Sequence, residues 1–125
     1  MTGAPKRVLV VEDEADMRRV LRLALRVSPH LDLVGEAPDG TTAESLAAEH
    51  RPDAIVLDLY LPDVTGRKTL RRVRAASPQS HIVVFSAHES QRWWHERRAI
   101  GFVRKDEGIE RLMQLLEATT GITDE

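Results

Sequence analysis

The chain has 125 residues, enough for one domain with a core of its own. It is 42% hydrophobic and 30% charged, and its 18 basic and 20 acidic residues leave a net charge of −2, so nothing in the overall charge demands nucleic acid as a partner. The absence of cysteine excludes disulfides and thiolate metal sites.

No segment is long and apolar enough to span a membrane. The stretch from Met1 to Arg7 lacks the apolar run of a signal peptide, so a cytoplasmic location is expected.

In chain order, Val8-Leu9-Val10-Val11 is a continuous apolar run that fits a strand buried on both faces. Met17, Val20, Leu21, Ala24 and Val27 recur at helical spacing and predict a first helix with these residues inward. Leu31-Asp32-Leu33-Val34-Gly35 is a weaker strand signal. Thr41 to Glu44 has the Thr-x-x-Glu form of a capping box, opening a helix with Ala43, Leu46 and Ala47 inward.

Ala54-Ile55-Val56-Leu57 predicts a third strand, and Leu70 and Val73 mark a helix starting near Thr65. The run Arg67, Lys68, Arg71, Arg72 and Arg74 reads as the solvated face of that helix. Ile82-Val83-Val84-Phe85 predicts a fourth strand and Ile100-Gly101-Phe102-Val103 a weaker fifth. Ile109, Leu112, Met113 and Leu116 form a helical stripe, and Thr119 to Glu125 reads as a frayed end.

Strand and helix alternate five times. This predicts an α/β fold, a flavodoxin-like (βα)5 three-layer sandwich around a five-stranded parallel sheet.

In such sheets ligands bind beyond the carboxyl ends of the strands. Glu12, Asp13 and Glu14 follow the first strand, Asp58 the third, Ser86 the fourth and Lys105 the fifth. Carboxylates held this close repel one another unless a cation joins them. A hard divalent ion with oxygen ligands meets that need, and Mg²⁺ suits best. A carboxylate beside the metal can attack phosphorus to give an aspartyl-phosphate. A lysine and a hydroxyl can hold the remaining phosphoryl oxygens. The acids after the first strand also argue against a nucleotide site, which needs a glycine-rich or hydroxyl-rich turn there.

With these residues in place, nearly the whole chain resembles a response-regulator receiver domain of two-component signalling. Val10-Val11-Glu12-Asp13-Glu14 resembles that family's acidic pair. Asp58-Leu-Tyr-Leu-Pro62-Asp-Val-Thr-Gly66 is similar to its phosphoacceptor motif. Phe85-Ser86-Ala87 and Gly101-Phe102-Val103-Arg104-Lys105 are similar to its hydroxyl and aromatic–lysine segments. Val34-Gly35-Glu36-Ala37 with Asp39-Gly40 resembles receivers of the NarL/FixJ type.

The resemblance implies a receiver domain over residues 5–121, with no output domain in the chain. It implies Asp58 as phosphoacceptor, and Asp13, Asp58 and the Tyr60 carbonyl as ligands of Mg²⁺, with Glu12 nearby. Ser86 and Lys105 would contact the phosphoryl group, and Phe102 would turn inward as Ser86 moves. The phosphodonor would be a sensor histidine kinase or a small acyl phosphate. An output protein or DNA-binding domain would lie outside this chain, and self-association as a homodimer is left open. Direct nucleic-acid binding and membrane association are not expected. Catalysis would be confined to the chain's own phosphorylation and dephosphorylation.

Three features depart from the family pattern, one being Asp106 after Lys105, where many relatives carry proline. The first acid is Glu12 rather than the commoner aspartate. Ser86 and Lys105 are only 19 residues apart, about one helical turn, roughly three to four residues, less than the resemblance implies. The fourth helix is therefore expected to be short or irregular, with Trp93 or Trp94 partly exposed as a partner patch. The alternative is a degenerate receiver that binds proteins without phosphorylation. A phosphatase of the haloacid-dehalogenase kind is disfavoured, because Tyr60 stands where its second aspartate would be.

Overall fold

Alternate residues of a strand face opposite ways, so a run that is apolar throughout can be buried from both sides. The computed structural model describes residues 4–87 and 101–122, with side chains up to residue 118. In it the three strongest apolar runs form the centre of one parallel sheet. The strands are β1 (Lys6–Val11), β2 (Leu31–Ala37), β3 (Ala54–Leu57), β4 (His81–Ser86) and β5 (Gly101–Arg104). Their order is β2-β1-β3-β4-β5, the doubly wound flavodoxin-like arrangement.

Among the described residues the helices are α1 (Ala15–Val27), α2 (Gly40–His50), α3 (Gly66–Ala76) and α4 (Ile109–Ile122), with a 3₁₀ turn at Lys105–Glu107. They divide the core in two. Val8, Val10, Val56, Val83 and Phe85 pack with Leu21 and Leu25 of α1 and Leu112 and Leu116 of α4. Leu9, Val11, Ile55, Ile82 and Val84 pack on the other face with Ala43 and Ala47 of α2 and Leu70 and Val73 of α3. The three-layer α/β expectation holds.

Local details differ from the sequence reading in three places. In α1 the inward row is Leu21 and Leu25 with Met17 beside them. Val20 and Val27, expected inward, are 44% and 82% exposed. The helix carries more apolar residues than one face can bury, and Val20 and Val27, seven positions apart, share a row turned to solvent. In α2 the cap is Asp39, whose side chain accepts from the Thr42 amide, and not a box built on Thr41 and Glu44. The terminal helix continues through Thr119 to Ile122, because each further residue adds a hydrogen bond to an already formed helix.

The expected fourth helix, with Trp93 and Trp94, falls in residues 88–100, outside the described residues. Arg67, Lys68, Arg71 and Arg72 are exposed on α3 as expected, while Arg74 is half-buried.

Candidate functional site

All five strands run the same way, so their carboxyl ends share one edge of the sheet. Glu12, Asp58, Ser86 and Lys105 each lie at or just past such an end, and the structure brings their side chains together. Lys105 Nζ lies 3.1 Å from Asp58 Oδ2 and 2.9 Å from Glu12 Oε1. Ser86 Oγ donates to Asp58 Oδ1 at 3.2 Å, and the Tyr60 amide donates to the same oxygen at 3.1 Å. Asp58, Ser86 and Glu12 are all buried, whereas Asp13 is exposed at the mouth. A cleft of about 430 Å³ opens here, lined in part by Glu12, Asp13, Asp58, Tyr60 and Lys105.

One lysine thus serves two buried carboxylates. Burial alone pulls the Lys105 ammonium down, but Glu12 and Asp58 outweigh this and hold its pKa above the ordinary lysine value. Burial pushes the Glu12 carboxyl above its ordinary value, and the Asp58 charge adds to this against the pull of Lys105.

Carboxylate oxygens of Glu12, Asp13 and Asp58 lie within 4.8 Å of one another. Glu12 Oε1 is buried, and the Lys105 ammonium lies 2.9 Å from it. An acidic, all-oxygen donor set of this kind fits a hard divalent cation such as Mg²⁺. Glu12 Oε2 is used differently: it accepts from the Glu14 amide at 3.1 Å, at the start of α1.

Phe102 of β5 is half-buried against the core layer shared with α2 and α3. Tyr60 is 44% exposed, and its backbone pairs with Thr65 across the loop after β3. That loop folds back closely. A methyl group on Gly66 would lie 2.5 Å from the Leu59 carbonyl oxygen, so the glycine of the motif is needed for space.

Two residues of this neighbourhood carry no local sequence signal. Arg18 Nη1 donates to the carbonyls of Glu12 and Asp13 at 2.8 and 3.0 Å, clamping the acidic loop from α1. Arg22 pairs with Glu36 through two hydrogen bonds of 2.6 and 2.9 Å. Glu36 also lies 3.9 Å from Arg18, which links the clamp to β2. Hydrogen bonding to Arg22 holds the Glu36 carboxyl below its ordinary value. An arginine reaching backbone carbonyls has no spacing rule, so only the fold exposes the clamp.

Known proteins resemble this chain in sequence and in fold. The family model for the response regulator receiver domain matches residues 8–117. The nitrate/nitrite response regulator protein NarL of Escherichia coli is 34% identical over 115 residues, covering 90% of this chain and 53% of that protein. A protein-glutamate methylesterase/protein-glutamine glutaminase of Koribacter versatilis is 37% identical over 91 residues, covering 73% of this chain and 25% of that protein. The chain spans about a quarter to a half of the length of the curated relatives it matches.

Among solved structures, a LuxR-family two-component response regulator from Aurantimonas superposes with a TM-score of 0.84 at 30% identity, covering 94% of this chain and 86% of that one. The response regulator domain of Thermotoga maritima CheB gives 0.81 at 28% identity, covering 97% and 98%. The chain belongs to the response regulator receiver domain family.

Proposed function

We propose that this receiver accepts a phosphoryl group on Asp58 from a histidine kinase phosphohistidine, in a Mg²⁺-dependent reaction, and signals by a change of conformation. The observation that carries the reading is the convergence of Ser86 and Lys105 on the two oxygens of Asp58, beside the acids Glu12 and Asp13. Asp13, Asp58 and the Tyr60 carbonyl would hold the ion, with Glu12 close by. Bound there, Mg²⁺ supplies positive charge against which phosphoryl oxygens are neutralised.

The chain's own groups do the rest. An Asp58 oxygen attacks phosphorus, the bond from phosphorus to the imidazole nitrogen breaks, and the imidazole leaves with its electron pair. Lys105 remains an ammonium throughout and passes from the Asp58 carboxylate to a phosphoryl oxygen. The Ser86 hydroxyl does the same on the other side. Loss of these two contacts to Asp58 is the local event that would draw Phe102 inward and shift the population of the surrounding face. Hydrolysis reverses the modification when water attacks the same phosphorus.

In this reading residues 5–121 form one cytoplasmic receiver unit, and its catalysis ends with its own phosphorylation and dephosphorylation. The output would be a partner protein or a DNA-binding domain. Incubation with acetyl phosphate tests the reading. Phosphoryl uptake should require Mg²⁺ and stop with a chelator. A protein that takes up nothing, yet still binds a partner, would instead favour the phosphorylation-independent binding module.

A further inference from the structure

The first turn of a helix leaves amide donors without partners inside the helix. In α2 these are the amides of Gly40, Thr41 and Thr42. Two carboxylates take them. Asp39, the local cap, accepts from Thr42 at 2.8 Å. Asp63 comes from the loop after β3 and accepts from Gly40 at 2.8 Å and from Thr41 at 3.1 Å. It also accepts from the Thr41 hydroxyl at 2.8 Å. These bonds hold the Asp63 carboxyl below its ordinary value, the Gly40 amide contributing most.

The contact is close as well as polar. A methyl group on Gly40 would lie 2.8 Å from Thr69 Oγ1 and 2.9 Å from Val64 Cβ. The start of α2 therefore rests directly on the loop and on α3. The loop itself begins at Asp58, passes Tyr60, and ends at Thr65, whose hydroxyl caps α3 by accepting from the Lys68 amide. Its two ends are fixed by β3 and α3. Its tip, Pro62 and Asp63, is exposed, and the Asp63 carboxylate ties it to another element.

We propose that Asp63 is the positioning residue of the acceptor loop, tying the segment that carries Asp58 and Tyr60 to the first turn of α2. The proposal rests on the reading of Asp58 as phosphoacceptor for its functional meaning, but the tether is a property of the chain itself. It makes α2 a partner in any rearrangement of the loop: when the Tyr60 carbonyl shifts, the pull reaches Gly40 and Thr41.

The test compares Asp63→Ala with Asp39→Ala in the full chain. Both remove a carboxylate from the same helix end, so both should lower the melting temperature to a similar extent. Only Asp63→Ala frees the loop. In metal-free protein, amide hydrogen exchange from Leu59 to Thr65 should speed up by about tenfold in Asp63→Ala and stay unchanged in Asp39→Ala. Mg²⁺ affinity by calorimetry should fall about tenfold in Asp63→Ala alone, as expected for a group that orients a ligand. Asp63→Asn keeps the Gly40 bond and loses an acceptor, so it falls between, and it serves if the alanine variant does not fold.

Unchanged loop exchange in both Asp63 variants would overturn the proposal. Equal acceleration in Asp39→Ala would overturn it too, by making helix stability the cause. A wild-type protein that binds no Mg²⁺ would sink the metal reading instead, and the exchange comparison would still decide the tether.

Discussion

Lys105 reaches across 47 residues of sequence to place its ammonium 3.1 Å from Asp58 Oδ2, and the same nitrogen lies 2.9 Å from Glu12. One cation therefore balances two buried anions. Lys105→Met keeps the stem and removes the charge, leaving Glu12 and Asp58 facing each other. Urea unfolding without metal should show a loss of about 2 kcal/mol, since buried charged groups lose their partner. Phosphoryl uptake should slow about 100-fold. Added Mg²⁺ should restore more stability to the variant than to the wild type. Equal stability of the two proteins without metal would show that the ion pair contributes nothing.

The opposite sign is expected for Glu12→Gln. The folded-state pKa of Glu12 is raised by burial, so its ionised form is less favourable in the fold than in the unfolded chain. Above the folded pKa, removing that charge should stabilise the metal-free protein. The gain should fade as pH falls through the folded pKa toward 4.5, where wild-type Glu12 is protonated in both states. Mg²⁺ affinity should fall in the same variant. Denaturant midpoints across pH for the two metal-free proteins provide the measurement, and a variant less stable at neutral pH would refute the argument.

Glu36 gives a second pH signature, away from the site. Hydrogen bonding to Arg22 lowers its folded-state pKa, so its contribution is present above the unfolded value of 4.5 and is lost as pH falls through the folded value. The pair is partly exposed, so solvent screening keeps its contribution at neutral pH small. Arg22→Ala should flatten the wild-type fall in stability over the acid window. An identical pH profile in both proteins would mean that the pair carries no linkage.

Gly66→Ala tests the loop geometry. The new methyl would meet the Leu59 carbonyl oxygen at 2.5 Å and Leu59 Cβ at 2.9 Å, and neither is the free end of a flexible side chain. A cost of about 2 kcal/mol is expected from the forced backbone shift. Wild-type stability by thermal unfolding would show that the loop has more room than the contacts allow.

The runs Val8–Val11 of β1, Ala54–Leu57 of β3 and Ile82–Phe85 of β4 were plain because both faces of each are buried, leaving no polar residue to blur the run. The edge strands β2 and β5 were fainter because they are only partly covered. Helix α1 was harder still. Val20 and Val27 satisfy a helical period as well as Leu25 does, and only packing decides between them. The Thr41–Glu44 pattern fitted a cap by spacing alone, while Asp39 and Asp63 held the amides.

Asp58, Ser86, Lys105 and Glu12 were legible as a group for one reason: in a parallel sheet every strand delivers its last residue to the same edge. Arg18 and Asp63 were not. Their partners are backbone groups of other elements, and neither residue type nor spacing marks such a contact in advance.

In the proposed function Asp58 carries the phosphoryl group. Intact mass of the wild type and Asp58→Asn, each incubated with acetyl phosphate and Mg²⁺, tests it most directly. The wild type should gain the mass of one phosphoryl group and Asp58→Asn should gain none. A wild type that gains nothing, or an Asp58→Asn variant that gains as much as the wild type, would contradict the account.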